Sequence, residues 1–249
     1  MKNTTNIENK TILVTGANRG IGKTITATLL DRGASRVYAA VRRVDTLKPL
    51  LEQYGDRVIP LEVDLQDNAS IQAAAKRASD VDIVINNAGV LQTTPLLSEG
   101  SIDSLKYEQD INVYGLIRIA IAFAPVLKSN GGGAIVQLNS VASIKSFEEL
   151  ATYSASKAAS YSITQALRAL LEDQGTQVVS VHPGPIVSDM SITAGMDDIA
   201  EPPTVVADAI IEALQSGTFH VYPDAVAKQL GSAYQSYAEA IIEPKLVEA

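Results

Sequence analysis

The stretch 10–33 constrains the fold more than any other part of the chain. It begins with Thr11–Thr15, a short apolar run rich in β-branched residues that is typical of a buried parallel strand. The run leads directly into Gly16, Gly20 and Gly22, which are followed by apolar residues at helical spacing. Three glycines this close together are also compatible with a plain tight turn. The order strand, turn, helix instead predicts a dinucleotide-binding turn, since glycine lets a phosphate approach the backbone and the helix N-terminus attracts its charge.

Arginines stand where the second strand ends. The apolar run Arg36–Val41 is followed by Arg42 and Arg43, about 20 residues past the glycine turn, where an acidic residue would bind the ribose of NAD. A guanidinium suits a 2′-phosphate by its charge and its paired donors, and Arg19 lies inside the glycine turn. These arginines favour NADP over NAD. The alternative is that they are ordinary solvated surface residues.

Five further apolar runs alternate with helical patterns along the chain. They are 58–63, 81–85, 134–138, 178–181 and 219–222. Such alternation predicts an α/β fold, a single-domain doubly wound Rossmann-type parallel sheet with helices on both faces, over residues 1–249. Ligands of such sheets bind at the carboxyl ends of the strands. The glycine turn, Arg42, Asp64 and Asn86–Gly89 are all predicted to lie there.

Tyr153 and Lys157 stand four residues apart in a long helical pattern, so they share one helix face. A free phenol has a pKa of about 10 and is a weak acid–base group at neutral pH. A neighbouring ammonium favours the phenolate and brings that pKa toward the range of a general acid–base catalyst. The alternative for such a pair on its own is a surface tyrosine and lysine on an ordinary helix.

Composition excludes several classes of site. The chain has no cysteine, so disulfides, thiolate nucleophiles and cysteine-based zinc sites are excluded, and its two histidines, His182 and His220, lack metal-ligand spacing. No metal is predicted. The net charge of −8 argues against nucleic acid as a partner. The polar N-terminus and the lack of a membrane-length apolar run predict a soluble cytoplasmic protein with no membrane partner.

Five motifs together resemble the short-chain dehydrogenase/reductase family, in the family's order. They are Thr15–Gly22, Asn86-Asn87-Ala88-Gly89, Ser140, Tyr153-Ser154-Ala155-Ser156-Lys157 and Pro183-Gly184. The resemblance covers residues near 10 to 222, almost the whole chain. It implies an NADP(H)-dependent oxidoreductase that transfers a hydride between the nicotinamide and a carbonyl or alcohol. A serine stands at 188, where the family often has threonine, and this change keeps the hydroxyl.

The resemblance assigns roles to individual residues. It implies that Tyr153 transfers the proton, that Lys157 lowers the pKa of Tyr153 and binds the nicotinamide ribose, that Ser140 holds the substrate oxygen, and that Asn112 maintains a proton relay through water. The residues implied to contact NADP are Gly16, Asn18, Arg19, Gly20, Ile21, Arg42, Asp64, Leu65, Asn86, Ala88, Gly89, Tyr153, Lys157, Pro183, Gly184, Ile186 and Ser188. Hydride addition puts negative charge on the carbonyl oxygen, which donors from Ser140 and Tyr153 would stabilise.

Two segments near the C-terminus complete the prediction. Residues 186–203 lose periodicity and are predicted to form a lid, largely small and apolar, that suits an uncharged carbonyl of modest size. Residues 224–249 read as helical and would cover the substrate end or a partner subunit. The apolar helical patterns at 104–128 and 152–172 predict a homo-oligomer, a dimer or a tetramer.

Two other functional classes stay open at this stage. One is an NADP-binding sensor without turnover, which would not require an intact Tyr153 and Lys157. The other is a structural or interaction protein, which would not require the glycine turn or the arginine at position 42. Turnover of NADPH with aldehydes and ketones distinguishes an enzyme from both.

Overall fold

Seven strands form one parallel sheet in the computed structural model, which describes residues 3–244. In chain order they are β1 (Thr11–Thr15), β2 (Arg36–Val41), β3 (Val58–Glu62), β4 (Ile83–Asn86), β5 (Ala134–Leu138), β6 (Gln177–Val181) and β7 (His220–Val221). Their order across the sheet is β3-β2-β1-β4-β5-β6-β7, and every pairing is parallel. The chain winds outward twice from β1, so a crevice opens between β1 and β4, where the direction of winding reverses.

Helices cover both faces of the sheet. In chain order they are α1 (Gly20–Asp31), α2 (Lys48–Tyr54), α3 (Asn68–Arg77), α4 (Ser101–Gln109), α5 (Gly115–Ser129), α6 (Ala151–Leu170), α7 (Asp189–Thr193), α8 (Thr204–Ser216) and α9 (Ala225–Tyr237). The predicted fold class is confirmed. The seven predicted strands all form, within two residues of the expected ends, because fully buried parallel strands read as continuous apolar runs.

Successive residues of β1 show how the sheet divides the core. Ile12 and Val14 belong to a cluster that includes Ile25 of α1 on one face. Leu13, between them, belongs to a second cluster that includes Phe123 of α5. All five side chains are buried, as expected for a strand whose alternate residues point to opposite faces. Both faces are therefore sealed, and the carboxyl edge of the sheet is left for a site.

The helix predicted at 104–128 is longer than expected and is interrupted at a different place. It runs as α4, a π-helical turn at Asp110–Tyr114 and α5, and Pro125 lies inside α5. The whole of Ser101–Ser129 is long and apolar enough to cross a membrane, with a mean hydropathy of 1.5. More than half of its apolar window, 56%, is buried inside the protein. In this fold it packs on one face of the sheet, with its apolar side buried in the core.

The two C-terminal segments are more ordered than their sequence indicates. The predicted lid contains α7, and an isolated bridge between Ile186 and Glu201 holds its two ends together. The predicted C-terminal helix forms as α9 with a π-helical continuation at Ala238–Ile242. The rest of that prediction, residues 245–249, lies outside the described residues.

Candidate active site

A cleft of about 640 Å³ lies at the carboxyl edge of the sheet, along the crevice between β1 and β4. This volume is in the range of sites for cofactors and small molecules. The predicted site residues that line it are Gly16, Asn18, Arg19, Gly20, Ile21, Arg42, Asp64, Leu65, Ala88, Gly89, Ser140, Tyr153, Lys157, Pro183, Gly184, Ile186 and Ser188. Two predicted residues, Asn86 and Asn112, are absent from the lining.

The glycine turn is shaped for close approach. Gly16 and Gly20 have φ of +66° and +49°, a region that side chains disfavour. A Cβ at Gly22 would stand 2.2 Å from the carbonyl oxygen of Gly16, so the first turn of α1 packs directly on the loop before it. No side chain caps this helix, and its first turn holds no acidic residue. Its free N–H groups are therefore available to an anion such as a pyrophosphate.

Thr15 ties the glycine turn to the end of β4. Its hydroxyl oxygen accepts from the backbone N–H groups of Asn87 and Ala88, each at 3.0 Å, and its hydroxyl donates to Asn86 Oδ1 at 3.1 Å. The Asn87 side chain in turn donates to the carbonyl oxygen of Thr15 at 2.9 Å. These bonds hold two neighbouring walls of the cleft at a fixed distance.

The side chain of Asn86, a residue expected to contact NADP, does not face the cleft. Asn86 is 2% exposed, and its amide donates to Gln137 Oε1 at 2.7 Å. It is the last residue of β4, and its side chain lies within the sheet, between Thr15 and Gln137, instead of in the cleft. Asn87, which sequence reasoning did not assign, lines the cleft in its place.

Three arginines reach the far end of the cleft with different partners. Arg43 pairs with Asp45 at 2.7 Å, and Arg19 pairs with Asp189 of α7 at 2.5 Å. Arg42 is exposed, and within residues 3–244 no ion pair or hydrogen bond of its guanidinium is found. Arg42 is therefore the arginine that can bind an incoming anion without first giving up a carboxylate.

The opposite end of the cleft brings together Ser140, Tyr153 and Lys157. Tyr153 and Lys157 lie on the first two turns of α6 and are 7% and 5% exposed. Ser140 follows β5, and its Oγ accepts from the N–H of Ala142 at 3.1 Å. Lys157 Nζ donates to the carbonyl oxygen of Leu138 at 2.8 Å. The end of β5 thus places the serine and anchors the lysine beside one tyrosine.

The pKa of Tyr153 differs from the expectation. Burial raises it to about 12; a hydrogen bond with Ser140 opposes this rise, and the carboxylate of Glu108 adds to it. Lys157 does not lower it here: its Nζ lies 5.8 Å from the centre of the phenol ring and is bonded to Leu138 instead. Burial also lowers the pKa of Lys157 to about 8, so this lysine is still mostly protonated at neutral pH. Tyr153 is therefore held as a neutral phenol that can donate a proton.

Asn112 lies behind the cleft, in the π-helical turn between α4 and α5. Its amide donates to the carbonyl oxygen of Val90 and to Ser156 Oγ, each at 2.9 Å, and its Oδ1 accepts from the N–H of Val90 at 2.9 Å. The side chain is 2% exposed, and both of its amide hydrogens are used by these bonds. It joins the loop after β4 to α6, and the proton relay expected of Asn112 stays a prediction.

Two buried carboxylates that sequence reasoning missed support the same walls. Glu108 is completely buried, and its Oε1 accepts from the N–H of Gln92 at 2.7 Å. Asp224 is 1% exposed; it accepts from the N–H of Gly184 at 2.7 Å and caps α9 through Ala227 at 2.9 Å. Each accepts a hydrogen bond from the backbone N–H of a loop that is distant in sequence, and nothing in the sequence around either residue indicates that partner.

The depressed pKa of Lys157 predicts a rise in stability with pH. Between about pH 8 and its ordinary value of 10.5, the unfolded state binds a proton at this lysine that the folded state has released. The free energy of unfolding therefore increases with pH through this window. Chemical denaturation of wild type and Lys157→Met at a series of pH values measures this effect. The free energy of unfolding of wild type, relative to that of the mutant, should increase from about pH 8 to pH 10. Parallel curves would contradict the assignment.

Comparison with known proteins settles the family. A family model described as short chain dehydrogenase matches residues 10–198, which is most of the chain. The chain belongs to the short-chain dehydrogenase/reductase family. The expected resemblance is confirmed, and membership makes the protein an oxidoreductase of the dehydrogenase or reductase kind.

Individual members of the short-chain dehydrogenase/reductase family resemble this chain over most of its length. An NADP-dependent 3-hydroxy acid dehydrogenase of Schizosaccharomyces pombe is 30% identical over 194 residues, 75% of each protein. The crystal structure of a short chain dehydrogenase from Burkholderia cenocepacia in complex with NADP is 34% identical, covers 96% of this chain and 100% of its own, and superposes with a TM-score of 0.84. A family member from Burkholderia phymatum, in complex with NAD, has the same fold at 21% identity and a TM-score of 0.83.

Proposed function

We propose that this protein reduces uncharged, largely apolar aldehydes or ketones with NADPH, or oxidises the corresponding alcohols in reverse. One observation carries the proposal: a buried phenol, a serine hydroxyl and a lysine meet at one end of a cleft whose other end is a phosphate-binding turn. Ser140, Tyr153 and Lys157 all line that cleft together with Gly16 and Gly20. A binding protein without turnover has no use for such a group of side chains.

The residues present fit NADP. The free N–H groups of α1 suit the pyrophosphate, and a Cβ would fill the cradle at Gly22. Arg42 offers the 2′-phosphate a guanidinium that has no ion pair or hydrogen bond with any residue from 3 to 244. The NADP dependence and NADP complex of two relatives support the same cofactor. When bound, the reduced nicotinamide supplies the hydride, and the protein supplies position, hydrogen bonds and the proton.

In this proposal Tyr153 gives its proton to the substrate oxygen. An alkoxide oxygen is far more basic than a phenolate, so a neutral tyrosine with a raised pKa is still a competent donor to it. Ser140 donates a hydrogen bond to the same oxygen, which stabilises the developing negative charge. In this proposal Lys157 holds the nicotinamide ribose beside Tyr153, and its bond to the carbonyl oxygen of Leu138 fixes its position.

Arg42→Ala is predicted to weaken the binding of NADPH much more than the binding of NADH. A hydrogen-bonded charge pair contributes about 1.5–3 kcal/mol, so we expect the Kd of NADPH to rise by roughly 10- to 100-fold while that of NADH stays near its wild-type value. Fluorescence titration of both cofactors measures this. Arg43→Ala is the matched control, because that guanidinium is already paired with Asp45. Equal weakening of both cofactors by Arg42→Ala would contradict the assignment.

The substrate end of the cleft is apolar. Tyr153 packs there in a cluster with Leu91, Ala142, Phe147, Leu150 and Met196, all of which line the cleft. The charged residues of the lining are Arg19, Arg42, Arg43, Asp64, Asp189 and Lys157. All except Lys157 belong to the cofactor end, and the ammonium of Lys157 is held by Leu138. Within residues 3–244, this end thus lacks a cation suited to a substrate carboxylate, which supports an uncharged substrate.

A matched substrate panel tests the proposal. Ketones and aldehydes of increasing apolar size would be mixed with protein and NADPH, each beside an analogue that ends in a carboxylate, and absorbance would follow NADPH. We expect turnover of the uncharged members and a much lower kcat/KM for the acids. Demonstrated NADPH binding without oxidation across the panel would favour a sensor instead, and preference for the acids would overturn the substrate class.

Self-association and a cytoplasmic location stay predictions. Large apolar side chains on the outer helices are exposed, among them Ile102 at 64%, Tyr114 at 51%, Ile121 at 64% and Leu170 at 75%. Exposed apolar groups on long helices support association of copies of the chain. We include a homo-oligomer in the proposal on this ground.

A further inference from the structure

His182 connects β6 to the serine loop, defined here as Asn139–Ser143. It is completely buried beyond the carboxyl end of β6 and does not line the cleft. Its Nδ1 lies 2.9 Å from Ser143 Oγ and 3.3 Å from the carbonyl oxygen of Ser140. Its Nε2 lies 2.8 Å from Ser180 Oγ. The imidazole thus touches the residue that would hold the substrate oxygen, from the side opposite to the substrate.

The partners of His182 determine its tautomer. A carbonyl oxygen can only accept, so the nitrogen that faces the Ser140 carbonyl must carry the proton. Ser143 gives its own hydroxyl proton to that carbonyl at 2.5 Å, which leaves Ser143 Oγ to accept from His182 Nδ1. Nε2 then has no proton, and the hydroxyl of Ser180 donates to it. His182 is a neutral imidazole protonated at Nδ1.

The chain of bonds continues from Ser180 to α6. Ser180 Oγ accepts from Asn139 Nδ2 at 2.9 Å, and Asn139 Oδ1 accepts from the hydroxyl of Ser160 at 2.8 Å. Ser160 lies on α6, three residues after Lys157. Every group in this chain has one consistent role as donor or acceptor. The helix that carries Tyr153 and the loop that carries Ser140 are therefore linked through a fully buried path.

We propose that His182 is a positioning residue that fixes Ser140 relative to Tyr153, an inference that rests on the reductase function proposed above. The next residue, Pro183, reinforces this contact: its carbonyl oxygen accepts from the N–H of Val141 at 3.0 Å and from Ser140 Oγ at 3.4 Å. Residues 182 and 183 thus hold both polar groups of the peptide unit between Ser140 and Val141. Ser140 would touch the substrate, whereas His182 acts only through it.

The surroundings of His182 keep it neutral. Burial lowers its pKa to about 3, and the neighbouring His220 and the ammonium of Lys157 act in the same direction. The rings of Tyr161 and Tyr222 pack against it, with centroids 4.7 and 5.4 Å away. The imidazole is therefore neutral at neutral pH, and His182 supplies geometry instead of charge.

Two substitutions separate the two sides of the imidazole. In His182→Asn the side-chain amide takes the place of Nδ1 and keeps the donor to the serine loop, whereas in His182→Gln the amide reaches the Nε2 side and leaves the loop without its donor. A displacement of about 1 Å at a reacting group can cost roughly 100-fold in rate. We therefore expect His182→Gln to lower kcat at least about tenfold with the KM for NADPH little changed, and His182→Asn to recover most of that loss.

The other histidine supplies the control. His220 is partly buried, but its partners are Tyr161 and Glu243, and it has no hydrogen bond to the serine loop. His220→Gln should lower the melting temperature and leave kcat near the wild-type value. If His182→Asn and His182→Gln lower kcat equally, or if kcat follows melting temperature across all three variants, His182 has no positioning role and the proposal fails.

A measurement without turnover separates this proposal from the proposed function. The chain has two histidines, so nitrogen-15 spectra of a histidine-labelled sample contain two imidazoles, assigned with His220→Gln. His182 is expected to show a protonated Nδ1 and an unprotonated Nε2. The opposite tautomer would overturn the positioning role even in an active enzyme. The expected tautomer in a protein that reduces no carbonyl would refute the proposed function and leave the hydrogen-bond assignment standing.

Discussion

Tyr153→Phe is expected to lower kcat for carbonyl reduction by at least roughly 100-fold, because positioned general acids contribute about 10²- to 10⁴-fold. The substitution removes one oxygen and keeps the ring that packs with Ala142 and Leu150. NADPH binding should remain close to wild type, since the phosphate-binding turn lies at the other end of the cleft. Stopped-flow or steady-state rates, together with a cofactor titration, measure both effects.

Tyr161→Phe is the matched control for this substitution. Tyr161 lies on the same helix and is 5% exposed, but its hydroxyl contacts His220 and it does not line the cleft. The Tyr161→Phe enzyme should be less stable than wild type and should have a wild-type kcat. A Tyr153→Phe enzyme with substantial reductase activity, or a Tyr161→Phe enzyme equally impaired, would refute the role of Tyr153 as the proton donor.

Gly22→Ala is expected to disrupt cofactor binding, although alanine has a higher helix propensity than glycine. Within a helix, alanine is favoured over glycine by about 1 kcal/mol. Here its Cβ would stand 2.2 Å from the carbonyl oxygen of Gly16 and 2.5 Å from Asn87 Nδ2. Overpacking of this kind typically costs about 1–3 kcal/mol, and a backbone atom cannot move aside like a flexible side chain. The clash therefore exceeds the helix gain, and the turn must shift.

The shift displaces the N–H groups that would hold the pyrophosphate, so the Kd of NADPH should rise at least about tenfold. Isothermal titration measures it, and thermal melting should show a lower melting temperature. Gly100→Ala is the control: its Cβ would meet Thr94 at 3.4 Å, an ordinary contact. If Gly22→Ala bound NADPH as tightly as wild type, the close packing of α1 on the turn would not be what forms the phosphate site.

The fold could be predicted because its signals are local. Each strand of a sheet buried on both faces reads as an apolar run, and the glycine turn marks both the end of β1 and the start of α1. The position of the site followed from the same pattern, because the carboxyl ends of parallel strands share one edge. For this reason Arg42, Ser140 and Lys157, far apart in sequence, line one cleft, with Arg42 at the end opposite to the other two.

The direction of individual side chains could not be predicted, because it depends on distant partners. Asn86 and Asn87 are adjacent and chemically identical, yet the first is bonded within the sheet and the second lines the cleft. The pKa of Tyr153 was expected to fall beside Lys157 and instead rises, because burial outweighs an ammonium that is bonded to Leu138. The contacts of His182 with the serine loop and of Asp224 with Gly184 had no signal in the sequence, since these partners lie on other elements.

The central claim is that this protein moves a hydride from NADPH to a carbonyl carbon while Tyr153 protonates the oxygen. Its most direct test uses NADPH that carries deuterium at both C4 positions of the nicotinamide, with an uncharged ketone that the substrate panel identifies. Mass spectrometry of the alcohol should find deuterium on the carbinol carbon. Tyr153→Phe should form only traces of alcohol, and those traces should carry the same label. An alcohol formed without deuterium, or no alcohol despite saturated NADPH binding, would contradict the account.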